Sequence, residues 1–223
     1  MKIKYISILS FFIISYLSLN IKNSNASTEG NYFGVNAIYS NASHKYNPPS
    51  IKNKEFKNSA VGGGIEYRYA INLDGFFIAP SLIMEAPNTN AQDKDGDNIK
   101  IKYRYGSKIN IGYDIFDNFA IYLTSGAMIT SAEANWNAEN GKIVTDAKES
   151  ENKISSNSID NIYGAGFSFG FTDNLAFNFE YNSQRAKFSS PWRVGPSKEE
   201  TVAIAIDTRI DSFKCGFIYK FDI

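Results

Sequence analysis

Ile99-Lys100-Ile101-Lys102-Tyr103-Arg104-Tyr105-Gly106-Ser107-Lys108-Ile109-Asn110-Ile111-Gly112-Tyr113-Asp114-Ile115 alternates apolar with polar or small residues along its whole length. A period of two places successive side chains on opposite faces of a strand; no helix does this. Asp117-Asn118 then makes a tight-turn pair. Alternation resumes as Phe119, Ile121, Leu123, Ser125, Ala127 and Ile129 against Ala120, Tyr122, Thr124, Gly126 and Met128. The stretch reads as a long hairpin with one apolar face and one polar or small face. In a soluble sheet the apolar face turns to a core. In a membrane barrel it turns outward.

The N-terminus bears on that choice. Lys2 and Lys4 precede a mostly apolar run from Ile6 to Leu19, and Ser24 and Ala26 fit the −3 and −1 positions of a small-residue cleavage site. This is the pattern of a secretory signal peptide over residues 1–26. The run is shorter than the roughly 20 residues a spanning helix needs. Residues 27–223 then form one exported domain. Cleavage removes Lys2, Lys4 and Lys22 from 23 bases and none of the 23 acids, so the mature net charge is about −3. That gives nucleic acid no basic face to bind. Cys215 is the single cysteine, so no intramolecular disulfide can form.

Outward from the hairpin, six more strands are expected, at 31–40, 60–71, 76–85, 159–171, 175–188 and 201–221. Phe116-Asp117-Asn118-Phe119-Ala120-Ile121 recurs as Phe171-Thr172-Asp173-Asn174-Leu175-Ala176-Phe177, with a looser copy at 71–77, each at a short turn. The other connections, 41–58, 86–98, 132–158 and 189–200, are long and polar. Short turns alternating with long loops mark an eight-stranded, antiparallel, up-and-down transmembrane β-barrel of the outer membrane. Such a barrel would hold its turns on the periplasmic side and its loops outside.

The faces can then be assigned. Charged and glycine-rich positions cannot face lipid, where Lys or Arg at the midplane costs roughly 2–4 kcal/mol. Eight strands leave an interior filled by side chains. Gly62, Gly64, Gly164, Gly166 and Gly170 relieve crowding there. Glu66, Arg68, Arg104, Lys108, Asp114, Glu180 and Lys214 fall on the inner face, where they are expected to interlock as a polar plug with water in its gaps. A lipocalin-like soluble barrel with its apolar face inward is the alternative. In the last strand Val202, Ile204, Ile206 and Ile210 are even, whereas Phe213, Cys215, Phe217, Tyr219 and Phe221 are odd. Either a β-bulge near Asp211-Ser212 exchanges the faces, or residues 201–210 rise above the bilayer.

The leader, the glycine-punctuated strands, the Asp-Asn turns and the ending Asp211-Ser212-Phe213-Lys214-Cys215-Gly216-Phe217-Ile218-Tyr219-Lys220-Phe221 resemble small outer-membrane β-barrel surface antigens, the porin-like, opacity-type proteins of Gram-negative bacteria. The abundance of Asn, Lys and Ile is similar to that of a rickettsia-like alphaproteobacterium. The resemblance implies a non-enzymatic surface protein that supports the envelope and displays loops for adhesion or as antigen. It implies residence in outer-membrane and lipopolysaccharide-type lipids, a host surface ligand, and an insertion signal in Phe213, Phe217, Tyr219 and Phe221 read by the outer-membrane assembly machinery. Asp222-Ile223 after Phe221 departs from that signal.

A small porin-like channel and a lipid A-modifying barrel enzyme are the competing functions. His44, the single histidine, stands beside Ser43, but no acid partner or oxyanion site accompanies it, so it reads as a solvated loop residue. Asp93, Asp95, Gly96 and Asp97 lack EF-hand spacing, since Gly96 is fourth and Arg104 twelfth. Cys215 lies among lipid-facing aromatics with no base to activate it. Trp192 reads as a rim anchor, and Trp136 as either anchor or adhesive contact. No cofactor or metal is implied.

Overall fold

The computed structural model describes residues 29–47, 54–92, 98–135, 153–194 and 200–221. Its strands are β1 (Gly30–Asn47), β2 (Lys54–Leu73), β3 (Phe76–Ala86), β4 (Asn90–Gln92), β5 (Asn98–Phe116), β6 (Phe119–Asn135), β7 (Lys153–Gly170), β8 (Leu175–Val194) and β9 (Glu200–Phe221). Every pairing is antiparallel, in the order β3-β2-β1-β9-β8-β7-β6-β5, and β3 pairs β5 to close the ring. The closed wall is therefore eight-stranded. The three-residue β4 extends β5 above the end of β3. Among the described residues no helix is long and apolar enough to cross a membrane.

Closure leaves no edge unpaired where the wall is apolar, which lipid requires because it offers no water to open backbone groups. Val35, Ile65, Leu82, Ile111, Leu123 and Phe217 are among the large apolar side chains exposed on the outer surface. Stacked and tilted aromatics line it as well, with Phe167 and Phe179 centroids 5.5 Å apart and Tyr181 and Phe213 5.1 Å apart. Cys215 is exposed on this face, as the alternation requires.

All three short turns lie at one end. Asp74 (φ 58°) and Gly75 (φ 88°) both take positive φ, the primed turn that matches strand twist. Asp117-Asn118 follows a register shift between Asp114 and Phe116. At 171–174, Thr172 Oγ1 accepts from the N–H of Asn174 and Leu175 at 3.3 and 3.0 Å. Pro80 sits inside β3 and pairs Ile109 of β5, while β2 and β3 lose pairing between Arg68–Ser81 and Ile71–Ile78. The missing N–H of proline is placed on the side where the ladder lapses.

At the opposite end the strands are longer than their polarity suggested. Much of 41–58, 132–158 and 189–200, read as loop, is strand: β1 runs to Asn47, β2 starts at Lys54, β6 ends at Asn135, β7 starts at Lys153, and β8 and β9 reach Val194 and Glu200. Here the pattern of the wall inverts. The outer face carries Lys45, Lys57, Arg185, Asp207 and Arg209, while Ala42, Ile101 and Ile210 pack inside, as do Ala132, Ala186 and Phe188 with Ile206. This charged collar stands beyond the apolar belt.

The collar corrects the reading of two strands. No bulge exists at Asp211-Ser212; β9 pairs both neighbours without interruption through that point, and even positions face inward from Ile206 to Ile218. The apolar set changes parity because the strand rises out of the belt into the collar. Asp211 faces outward among hydroxyls and an arginine: Tyr181 Oη and Ser183 Oγ donate to its Oδ1 at 3.0 and 2.7 Å, and Arg209 Nε pairs its Oδ2 at 2.9 Å. The bulge is in β5 instead, between Ile101 and Tyr103. Ile99 and Ile101 are buried in the collar and Tyr103 and Tyr105 are exposed, although sequence alternation joins all four.

In the collar the wall also divides. β2 and β3 pair only up to Gly63–Ala86, and β7 and β8 only up to Ile162–Gln184. Beyond these points β8-β9-β1-β2 forms one curved sheet and β4-β5-β6-β7 another, facing each other across the apolar core.

Candidate functional site

The interior of the belt is organised by the inward residues of five strands. β2 contributes Glu66 and Arg68, β3 Glu85, β5 Arg104 and Lys108, β8 Glu180 and β9 Lys214, and all seven are buried. Arg68 Nη2 meets Glu66 Oε1 at 2.8 Å, and Lys108 Nζ meets Glu66 Oε2 at 3.2 Å. Lys108 Nζ also reaches both carboxylate oxygens of Glu180, at 2.7 and 2.6 Å. Lys214 Nζ lies 3.4 Å from Glu180 Oε1 and bridges to Glu85, whose Oε2 takes Arg104 Nη2 at 2.5 Å. The result is one chain of alternating sign, Arg68–Glu66–Lys108–Glu180–Lys214–Glu85–Arg104, with a cation at each end.

Neutral groups complete the shell. Asn182 Nδ2 donates to Glu180 Oε1 at 2.6 Å, Arg104 Nη2 to Ser212 Oγ at 3.1 Å and Nη1 to Gln184 Oε1 at 3.3 Å. Gln184 Nε2 passes on to Thr130 Oγ1 at 2.8 Å. Below, toward the turns, Tyr32, Phe77, Ala120, Tyr122 and Ile218 form an apolar floor. The Arg68 guanidinium lies 5.5 Å from the Tyr122 ring centroid. Ile83, Met128 and Ile162 pack beside the chain at the level of Gly106, and above it Ala42, Ile101 and Ile210 close the collar side. Charges thus lie between two apolar layers, where they must pair or carry several kcal/mol of desolvation each.

Water was expected in the gaps of this plug. One gap within the plug, bounded by Asn36, Glu66, Tyr122, Asn178, Glu180 and Lys214, is too narrow to admit a water. Glycines make this density possible. A Cβ on Gly126 would lie 2.2 Å from Ser107 O and 2.6 Å from Lys108 Cα, so only glycine lets β5 bring Lys108 to the axis.

Of the residues assigned to the interior from sequence, Glu66, Arg68, Arg104, Lys108, Glu180 and Lys214 lie in this chain. Asp114 faces inward but stands apart near the turns, where Asn72 Nδ2 approaches its Oδ2 at 3.4 Å. Glu85 was missed. It is the last residue of the expected strand 76–85, and its odd parity matches inward Phe77, Ala79, Ser81 and Ile83, the face opposite the apolar set from which that strand was read. Phe213, Phe217 and Tyr219 face outward and are exposed.

His44 is not solvated. It is fully buried on the inner face of the collar, and its Nδ1 is 2.8 Å from Thr208 Oγ1. Parity along β1 puts it inside once the strand continues past residue 40. Burial pushes its pKa down to about 4. Nε2 has no hydrogen-bond partner. The imidazole is therefore neutral, and among the described residues its hydrogen-bond partner is the Thr208 hydroxyl rather than a carboxylate that would orient it as a catalytic base. On the outer face Arg185 hydrogen-bonds Asp207 through Nη2 at 2.7 Å and holds that carboxyl below its usual range. Among the described residues no group of His, Cys, Asp and Glu could hold a metal ion. Trp136 and Asp93 to Asp97 lie outside the described residues, as does the side chain of Trp192.

Comparison with known proteins agrees with this architecture. The family profile described as "Outer membrane protein beta-barrel domain" matches residues 11–221. No curated protein sequence matches the chain. Among solved structures, AlkL in lipid bilayers is similar with a TM-score of 0.56 at 11% identity, covering 91% of this chain and 94% of its own. OprG of Pseudomonas aeruginosa gives 0.50 at 14% identity, with 92% and 100% covered. Ail, the attachment invasion locus protein of Yersinia pestis, gives 0.45 at 16%, with 87% and 100% covered. At such identities the likeness is one of fold.

Proposed function

Since this chain belongs to the outer membrane protein β-barrel domain family and so resides in the outer membrane, we propose that it is a sealed, non-enzymatic platform whose collar and loops are its working surface. Residues 1–26 would direct export and be removed, the short turns would face the periplasm and the collar the outside. Phe213, Phe217, Tyr219 and Phe221 would serve as the insertion signal. Adhesion to a host surface ligand, or display as an opacity-type antigen, is the role this arrangement serves.

The observation that carries the reading is the unbroken chain of seven alternating charges between two apolar layers. An open aqueous channel needs a lumen that larger barrels have and eight strands do not. Here the narrow lumen is filled by paired groups that an ion would have to separate.

Reconstituted wild-type protein should give no sustained conductance steps in a planar bilayer. Reproducible, salt-dependent single-channel steps would favour the porin-like reading. The enzymatic alternative is tested separately: lipid A deacylase or acyltransferase activity that disappears in His44→Ala would contradict the non-enzymatic assignment.

A further inference from the structure

β7 and β8 continue past their last pair, Ile162–Gln184, to Lys153 and Val194 without pairing each other. Each stays bonded on its far side, β7 to β6 as far as Lys153 and β8 to β9 as far as Val194. In an antiparallel ladder alternate N–H and C=O groups point to opposite sides. Two strand edges therefore face each other, each with half of its backbone groups turned into the seam. One bond between a backbone group and a side chain crosses it among the described residues: Lys187 N–H donates to Ser158 Oγ at 3.1 Å, and Ser158 Oγ donates to Asp160 Oδ2 at 2.5 Å. An outer-surface cleft of about 1010 Å³, half of whose wall is on the outward faces of β1, β2 and β9 (Lys45, Lys57, Asp207), reaches the seam at Ile159, Asp160 and Arg185. The other division of the collar is covered differently, by β4, whose Asn90 carbonyl accepts from Asn58 Nδ2 at 2.6 Å.

We propose that the β7–β8 seam is a strand-addition site for an extended peptide segment of another protein. Open strand edges are templates for another chain, and soluble proteins cover or charge them for that reason. Only an extended backbone supplies donors and acceptors at the repeat these edges present. A lipid tail supplies none, and the outer side chains at this level, Arg185, Asp207 and Arg209, are charged.

Side chains beside the seam set the preferred sequence. Ser158, Ala186 and Phe188 point inward, next to the collar core, and favour small or apolar residues on the inward side of the added strand. Ile159, Arg185 and Lys187 are exposed on the outward side. Lys187 stands opposite Asp207 in the ladder, but Arg185 makes the hydrogen bonds to that carboxylate, at 2.7 Å, so the Lys187 ammonium is the cation left to meet an acidic residue of the peptide. The preferred segment alternates apolar with acidic residues. Access from other cells rests on the collar facing outward; the binding chemistry does not.

The test uses the full mature chain in lipid nanodiscs, so orientation in a cell does not enter. The probe is the peptide acetyl-Thr-Val-Glu-Val-Glu-Val-Thr-amide, with a version N-methylated at alternate residues as control. Amide hydrogen exchange is followed over 155–161 and 185–189. Without peptide, the amides turned into the seam, apart from Lys187 whose N–H is held by Ser158, should exchange at least about 100-fold faster than those turned toward β6 and β9. The peptide should slow them at least about tenfold, and the N-methylated version should not. Lys187→Glu, a change at an exposed position, should weaken the acidic probe several-fold and favour a version with Lys in place of Glu. Seam amides already as slow as their neighbours would show a closed wall and overturn the proposal. Equal protection by the N-methylated peptide, or by decanol alone, would overturn it too; the latter would make the seam a port for apolar molecules.

Discussion

Replacing Glu180 with glutamine removes one link from the middle of the buried chain of charges. Lys108 Nζ is 2.6 and 2.7 Å from the two Glu180 oxygens and 3.2 Å from Glu66, so it loses the nearer of its two carboxylates. Lys214 loses its weaker contact, at 3.4 Å, and keeps Glu85. The chain of four cations and three anions becomes four and two. At a separation near 3 Å and an effective dielectric of 20, one such pair is worth up to ~5 kcal/mol of Coulomb energy. Breaking one buried pair typically destabilises by about 3–5 kcal/mol, and the Glu66 contact that Lys108 retains puts the expectation near ~3 kcal/mol. Lys108→Met with Glu180→Gln restores the charge balance and should cost distinctly less than the sum of the single changes. Urea unfolding in lipid vesicles, read by the mobility of the unboiled protein on gels, measures all four corners of the cycle. If Glu180→Gln costs less than ~1 kcal/mol, or the changes are additive, the chain does not act as a coupled unit.

Acid should loosen the collar through His44. Its pKa is about 4 when folded and 6.5 when unfolded, so the unfolded state binds the proton first. The contribution is fully present above pH 6.5, falls as pH drops from there toward 4, and amounts to about 3 kcal/mol in all. Urea midpoints should decline over that window in the wild type and stay flatter in His44→Gln; parallel profiles would remove histidine as the cause. Gly126→Ala should destabilise by about 1–3 kcal/mol through the clash of its methyl with β5 backbone. It should also raise leakage in vesicle assays, because Lys108 is displaced; an unchanged unfolding midpoint would show that the strands separate freely there.

The barrel was legible because period-two alternation survives wherever one face meets lipid and the other a packed interior. The collar was not, because above the belt the same alternation has the opposite meaning. In β5 the sequence keeps its parity while the bulge near Lys102 turns the strand over; in β9 the sequence changes parity while the strand runs straight. Either device moves isoleucine from the outer wall to the inner core, and no inspection of a single strand separates them. His44 was misplaced for the same reason, since it lies where a polar stretch reads as loop, whereas Glu85 lay within the expected strand 76–85 but at its last position, where the inner face was not followed. Asp114 was grouped with the charged chain because parity fixes the face of a residue but not its height.

The apolar wall is unequal in height around the barrel. Its outward apolar residues extend from Val61 to Leu73 on β2 and from Tyr103 to Ile115 on β5, but only from Phe33 to Tyr39 on β1 and Phe213 to Phe221 on β9. At about 3.3 Å per residue and a tilt of about 40°, the tall strands span ~30 Å, β9 ~20 Å and β1 ~15 Å. A bilayer of uniform thickness cannot match them all. The leaflets must pinch in beside β9 and β1, or the cylinder must lean until that side sinks. Lipids along that flank would be compressed and poorly ordered, so this protein would carry a permanent soft spot in the membrane, directly beneath its charged cleft.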